Sequence, residues 1–214
     1  MEKDEYGCNK HKTLEDLLVF YKEGASDYDR DVKDYRGYVG HETSAEVFVS
    51  ILKQHNFPES SKILDVGAGT GLVGEELHKR KFTNIDGFDP SQALLNEAEK
   101  KGIYSQLFVD VLGPNHQVKV ADNTYDAAIC VGVFTLNHVK AEGAMDEMAR
   151  VVRPGGLICF TIREDVMFEL EYGYEEKMQE LCRNQVWKLV SSTKEQYHSK
   201  NDFKKCFLFI YQVL

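Results

Sequence analysis

The stretch ILDVGAGTGLVGEEL, residues 63–77, decides the fold, because an apolar β-rich run passes through three closely spaced glycines into an amphipathic helical pattern. It holds two overlapping glycine registers. Read from Gly67 it is G-A-G-T-G; read from Gly69 it is G-T-G-L-V-G, the spacing of a dinucleotide-binding loop. Either register brings backbone close to a ligand at a helix N-terminus. Glycine spacing alone does not choose between them.

The discriminating residue is Asp65, at the end of the run just before the glycines. A carboxylate facing a pyrophosphate there would meet like charge at a cost of roughly 1 to 4 kcal/mol, depending on local dielectric. A ligand presenting an ammonium group would gain from the same contact. S-adenosylmethionine is such a ligand, with an amino-acid end, a sulfonium, a ribose and an adenine but no phosphate. The ligand-facing register is then the earlier one, with the backbone of Gly67, Ala68 and Gly69 against the methionine and ribose. Gly71 and Gly74 become glycines that let the helix pack closely on its strand.

Outward from this loop, short β-rich runs at 62–66, 85–88, 104–109, 127–131 and 157–162 alternate with helical patterns at 72–79, 93–100 and 144–151. This alternation predicts an α/β fold with a largely parallel sheet and helices on both faces. Upstream, a helix is expected over 13–21, and Thr43 with Glu46 suggests a capping box for another helix with Val47, Phe48, Ile51 and Leu52 on its apolar face. Downstream, a helix near 175–183 and strands at 186–191 and 206–213 complete the pattern. Residues 23–40 and 164–174 read as lids, and Pro154-Gly155-Gly156 as a turn.

Two further acids fall at predicted strand ends. Asp89, in GFDPS, lies 18 residues after Gly71 and can accept hydrogen bonds from both hydroxyls of a ribose. Asp110, in VDVL, can accept from an adenine amino group while the following N–H meets a ring nitrogen. Asp65, Asp89 and Asp110 form a constellation more specific than any one of them.

The series ILDVGAGTG, GFDPS, VDVL, YDAAICVGVF and RVVRPGGLICFT resembles the motif series of the class I S-adenosylmethionine-dependent methyltransferases over residues 63–161. The upstream FYKEGASDYDRDVKDYRGY and the wording of the core resemble, more closely, the methyltransferase-like proteins named for the Williams–Beuren critical region, a resemblance that weakens after Arg163. It implies a Rossmann-like fold with a seven-stranded, mostly parallel sheet and one antiparallel strand near the C-terminus. By position it implies that Asp65 and the Gly67–Ala68–Gly69 backbone meet the methionine part, that Asp89 binds the ribose and that Pro90 packs beside the adenine. Asp110 with Val111 would read the adenine edge, and Cys130 and Val131 would line the methionine side. Tyr28, in the Y-x-x-x-A-x-x-Y-D pattern of Tyr21, Ala25, Tyr28 and Asp29, would close over the cofactor.

The 214 residues suit a single domain, with N-terminal helices and lid at 1–60, a cofactor-binding core at 61–163 and a C-terminal lid with the last strands at 164–214. A net charge of -9 disfavours a sequence-independent grip on nucleic acid, and Lys79-Arg80-Lys81 and Lys204-Lys205 read as solvated faces. The charged start MEKDEYGCNKHK is unlike a secretory signal, and no window approaches the roughly 18 apolar residues of a membrane span. The five cysteines, Cys8, Cys130, Cys159, Cys182 and Cys206, form no C-x-x-C pair. A cytoplasmic protein with reduced thiols, no metal and no membrane partner is the expectation, with nuclear entry and the oligomeric state left open and a monomer compatible.

His138, in FTLNHV after the fourth predicted strand, is the candidate general base, its reference pKa near 6.5 suiting that role. Direct displacement at a methyl carbon needs no dedicated acid–base pair, since holding the reactants in line supplies roughly 7 to 11 kcal/mol. The N-P-P-Y and D-P-P-Y motifs of amide and exocyclic-base methylation are absent, and the segment reads CVGVFTLNH. With the acidic charge, this favours a small-molecule acceptor. Two alternatives stay open: a non-catalytic module that binds S-adenosylmethionine or S-adenosylhomocysteine, and a nicotinamide-dependent oxidoreductase using the later glycine register.

Overall fold

Two periodicities become two kinds of layer: apolar runs buried on both faces form the sheet, and the 3.6-period stretches between them form covering helices. The computed structural model describes residues 13–199 and 205–214. Cys8, Lys204 and the rest of 1–12 and 200–204 lie outside the described residues.

Helix α1 (Leu14–Gly24) is capped by Thr13, whose Oγ1 accepts from the Asp16 N–H at 3.1 Å. Much of the expected lid at 23–40 is helical: a 3₁₀ turn (Ala25–Asp27), one turn of helix α2 (Tyr28–Arg30) and a π turn (Asp31–Tyr35). Helix α3 (Gly40–Gln54) starts three residues before Thr43, so the expected capping box does not form. Thr43 Oγ1 instead donates to the carbonyls of Val39 and Gly40. The helix buries Ala45, Phe48, Val49 and Leu52, leaving Val47 and Ile51 half-buried.

Strands and helices then alternate as β1 (Ile63–Val66), α4 (Leu72–Lys79), β2 (Ile85–Asp89), α5 (Gln92–Lys100), β3 (Gln106–Val109), β4 (Tyr125–Phe134), α6 (Ala144–Val151), β5 (Val152–Arg163), α7 (Tyr174–Arg183), β6 (Trp187–Gln196) and β7 (Lys205–Val213). The sheet order is β3-β2-β1-β4-β5-β7-β6. Strands β1 to β5 pair in parallel, and β7 runs antiparallel to both β5 and β6. This is the expected seven-stranded sheet with one antiparallel strand. Phe48, Leu52, Leu77 and Phe82 pack on one face, and Met145, Met148, Leu181 and Trp187 on the other.

The chain moves outward from β1 to β3, then crosses back to place β4 beside β1. The loops part at that reversal, leaving a crevice at the carboxyl ends of the strands. Two irregularities in β4 and β5 shape it. Tyr125 pairs with Val152 but Ala127 with Leu157, so residues 153–156 form an irregularity within β5 where a turn was expected, with Gly155 at φ +80°. Cys130 pairs with Phe160 and Phe134 with Ile162, so residues 131–133 bulge opposite Thr161 alone. Such bulges redirect side chains beside functional sites. Among the described residues no helix is long and apolar enough to cross a membrane.

Candidate functional site

The crevice opens into a cavity of about 490 Å³ running from the glycine loop to the N-terminal helices and the end of β5. Its first wall is backbone. Gly67, Gly69 and Gly71 have φ of +72°, +55° and +88°, the left-handed region that glycine enters without steric penalty. A Cβ at Gly67 would lie 2.3 Å from Val133 Cγ2, whereas one at Gly69 would meet nothing within 4 Å. The Gly69 position therefore faces space that a ligand can fill. Gly71 and Gly74 have a different job: a Cβ at Gly74 would lie 2.4 Å from the Tyr104 hydroxyl. The later glycine register thus packs on a tyrosine.

Asp89 ends β2 and lines the cavity. Its Oδ1 accepts from the Ser91 N–H at 2.8 Å and its Oδ2 from the Gly69 N–H at 3.0 Å. Burial raises its pKa to about 6, against the pull of those two N–H donors. Each oxygen keeps a lone pair, so the carboxylate can still accept a pair of hydroxyls. Pro90, Leu94, Val111 and Leu112 provide apolar surface next to it.

Two of the three strand-end acids, Asp65 and Asp110, are not among the residues that line the cavity; both bond within the protein. Asp65 is buried and does not line the cavity; its Oδ2 accepts from the Tyr104 hydroxyl at 2.6 Å. Burial lifts its pKa to about 7, the Tyr104 bond opposing and Asp89 adding to the rise. The reason is depth: Asp65 pairs with Gly87, two residues short of Asp89 on the same face of the sheet, and so sits behind Tyr104 instead of at the crevice. Its carboxylate anchors the tyrosine on which Gly71 and Gly74 rest. Asp110 is also turned away, accepting from the Val111 N–H at 2.8 Å, the Lys119 N–H at 2.9 Å and His116 Nε2 at 2.5 Å. Burial works against it, but the Lys119 N–H, His116 and the Val111 N–H hold the carboxyl below its ordinary range. Asp110 and the Val111 N–H are spent on folding the loop that brings Val111 to the cavity wall. Cys130 is fully buried in the core, its thiol pushed up by burial, while its neighbour Val131 reaches the cavity.

The opposite wall comes from the N-terminal helices. Tyr28 lines the cavity and packs edge-on against Tyr21, ring centroids 6.0 Å apart. The next residue latches this segment to the glycine loop: Asp29 Oδ1 accepts from Thr70 Oγ1 at 2.5 Å, and Oδ2 from Lys101 Nζ at 2.7 Å. Lys101 also donates to Glu75 at 2.8 Å.

His138 lines the cavity between Tyr21 and the loop after β4. Its Nδ1 faces the Leu136 carbonyl at 2.8 Å and its Nε2 the Tyr21 hydroxyl at 2.9 Å. A carbonyl only accepts, so Nδ1 carries the hydrogen and Nε2 of the neutral ring accepts from Tyr21. Tyr21 appeared in the sequence only as a spacing mark in the Y-x-x-x-A-x-x-Y-D pattern. Also unforeseen are Arg36, Tyr38, His41, Arg163, Tyr197 and His198, all of which line the far end.

Comparison with known proteins agrees with this geometry. Residues 64–160 match a family described as a methyltransferase domain. The chain is 36% identical over 154 residues to methyltransferase-like protein 27 of Homo sapiens, covering 70% of this chain and 59% of that one. It is 30% identical over 161 residues to EEF1A lysine methyltransferase 2 of Danio rerio, covering 66% of each. It therefore spans about three fifths to two thirds of the length of these relatives. Among solved structures, magnesium protoporphyrin IX methyltransferase from Synechocystis PCC 6803, with bound S-adenosylhomocysteine, superposes with a TM-score of 0.68 at 14% identity, covering 92% of this chain and 98% of the other. At that identity the likeness concerns the fold.

Proposed function

Since the chain belongs to the class I S-adenosylmethionine-dependent methyltransferases, we propose that it methylates a small molecule held between the N-terminal helices and the ends of β4 and β5, releasing S-adenosylhomocysteine. The observation that carries this reading is the continuity of the cavity, which joins the glycine loop and Asp89 to Tyr21, His138 and Arg163 in one space. At about 490 Å³ for both reactants it lies in the lower half of the roughly 300–1,000 Å³ range of small-molecule sites.

The residues present fit an adenosyl ligand: an open left-handed loop at Gly69, a carboxylate with spare lone pairs at Asp89, and apolar surface at Pro90, Leu94 and Val111. Gly67, Ala68 and Gly69 would hold the amino-acid end, Asp89 the ribose hydroxyls, Tyr28 and Val131 the flanks. When bound, S-adenosylmethionine would supply a methyl group on a sulfonium, whose bond to carbon would break as the acceptor's lone pair forms its own, leaving a neutral thioether. The chain's contribution is alignment and water exclusion. For an acceptor carrying a proton, Tyr21 and His138 form a route for it. The Tyr21 oxygen takes the acceptor's proton as its own passes to His138 Nε2, leaving an imidazolium whose Nδ1–H still rests on the Leu136 carbonyl.

The zebrafish relative is named for a lysine in a protein, so a protein acceptor is the rival, and a binding module without transfer is the second. Incubation with S-adenosylmethionine labelled at the methyl group, followed by separation of a cell extract into metabolite and macromolecular fractions, decides. Label in metabolites supports the proposal; label in protein alone refutes the small acceptor. Tight binding of S-adenosylhomocysteine with no transfer to either fraction favours the module. The same reading includes a cytoplasmic location, supported by Cys130, Cys159 and Cys206 as buried unpaired thiols.

A further inference from the structure

The far end of the cavity has a chemistry of its own. Gly132, in the bulge of β4 at φ +82°, donates its N–H to Thr161 Oγ1 at 3.3 Å. A Cβ placed there would lie 3.4 Å from the Tyr38 hydroxyl and 3.5 Å from that of Tyr197, so two phenols converge over this glycine. The rings pack edge-on with centroids 4.9 Å apart, and His41 stacks on Tyr38 at 5.2 Å. His41 is 2% exposed, lines the cavity, and its Nδ1 has no hydrogen-bond partner. An unpartnered buried polar nitrogen of this kind calls for a ligand atom.

The charged residues that line this end are two arginines, each paired with a carboxylate that is outside the lining. Arg163 lies two residues beyond Thr161 on β5, hence on the same face, and is 6% exposed. Its Nε donates to Asp165 at 2.6 Å and its Nη2 to the second oxygen of that carboxylate. Arg36 pairs with Asp31 at 2.6 Å and places its carbonyl against His198 Nδ1 at 3.1 Å. Arg36 and Arg163 line the cavity, but Asp31 and Asp165 do not. The carboxylates that do line it are elsewhere: Asp89 on the cofactor wall, and exposed Glu142 near Lys140. The neighbouring groups remain neutral donors. Burial, then Tyr197, pushes the Tyr38 phenol up; burial also raises Tyr197; and burial, helped by Lys33, lowers His41 to about 4.

We propose that this end is the acceptor subsite and that the acceptor is a small organic acid, its carboxylate towards Arg36 and Arg163 and its nucleophilic atom presented over Gly132 beside the paired hydroxyls of Tyr38 and Tyr197. The assignment rests on the methyl-transfer reading and adds the substrate class. Guanidinium forks match carboxylate geometry, and two of them with neutral phenols make a pocket that rewards an anion over a neutral isostere.

The test uses the protein saturated with S-adenosylhomocysteine, titrated by ligand-observed NMR with benzoate, phenylacetate, hexanoate and succinate and with the corresponding amides. At least one acid should bind ten-fold or more tighter than its amide, and Arg36→Gln and Arg163→Gln should each bring that ratio to within about two-fold. Retention of S-adenosylhomocysteine binding certifies each variant as folded; if Arg163→Gln fails that control, Arg36→Gln alone decides. No acid preference in the wild type, including no binding of any probe, overturns the proposal, as does a preference that survives substitution. Failure of the wild type to bind S-adenosylhomocysteine would instead sink the methyl-transfer reading, and the acid–amide ratio can still be read without it.

Discussion

The two walls of the cavity are built differently. The wall at the ends of β1 and β2 is backbone, made of positive-φ glycines whose Gly69 N–H is tied to Asp89. The facing wall is side chains from α1 through the π turn, held down by the Asp29–Thr70–Lys101 latch and by single contacts such as Tyr21 to His138. The first wall has one conformation fixed by covalent geometry and the sheet. The second depends on ion pairs and hydrogen bonds that salt and pH can reach. On the proposed function, cofactor recognition would belong to the rigid wall, and acceptor choice and exchange to the adjustable one.

The largest break in that division is Asp89→Ala. Two hydroxyl bonds to a carboxylate, at roughly 1.5–3 kcal/mol each, predict a loss of about 100-fold or more in S-adenosylhomocysteine affinity by calorimetry. A loss below about five-fold would move recognition to the other wall. Next, Gly67→Ala combines a clash with Val133 and a strained φ. It should cost about 2–3 kcal/mol, a fall in Tm of roughly 5–10 °C at about 2–4 °C per kcal/mol. Gly69→Ala carries the strain without the clash, and should cost about half as much. Equal losses would show that the Val133 contact is not the cause.

A smaller effect follows from the raised pKa of Asp89. Burial holds the free carboxyl near 6, and a ligand whose hydroxyls donate to it binds the ionised form. Affinity should be flat above about pH 7 and fall about ten-fold per unit below pH 6, as protonation removes the acceptor. The sign is opposite for folding. An acid raised from 3.8 takes up a proton in the folded state first, so its burial weakens the free protein as pH climbs from about 4 to 6. Titration of Asp89→Asn should show no such slope; a slope that persists assigns the proton elsewhere, with Asp65 next in line.

The rigid wall was legible in the sequence because its work is done by residue types with conformational meaning. Three glycines between a strand and a helix leave few readings, and Asp89 follows at the next strand end. What the spacing did not show is that only one of the three strand-end acids lines the cavity. Asp65 sits one step deeper than Asp89 on the same face and is covered by Tyr104, and Asp110 is closed off by His116 and Lys119, six and nine residues on. That loop passes through Asn115 at φ +56°, a conformation that leaves no periodic signature. The adjustable wall was mostly hidden. Tyr38 meets His198 in an isolated bridge, joining segments 160 residues apart, and no local pattern records such a meeting. Tyr21, Tyr28 and Asp29 were visible as a spacing, though Asp29 proved to be the latch.

The smallest expected effect tests the adjustable wall. Lys101 Nζ lies between Asp29 and Glu75, its side chain 17% exposed and its partners about one third exposed. Pairs this accessible contribute no more than about 1 kcal/mol, most of it screened by salt. Lys101→Met should therefore leave the melting temperature within about 2–3 °C and equilibrium affinity within about five-fold. Its signature should be kinetic: S-adenosylhomocysteine should dissociate several-fold faster, because Asp29 then holds the segment through Thr70 alone. In the wild type, 0.5 M salt should raise the rate by a similar factor, and in the variant it should change little. A salt response that is the same in both proteins would show that ions act elsewhere and that the latch does not govern cofactor exchange. Asp29→Asn with Lys101→Met should then exceed the single change by less than the sum of the two, since both remove the same contact.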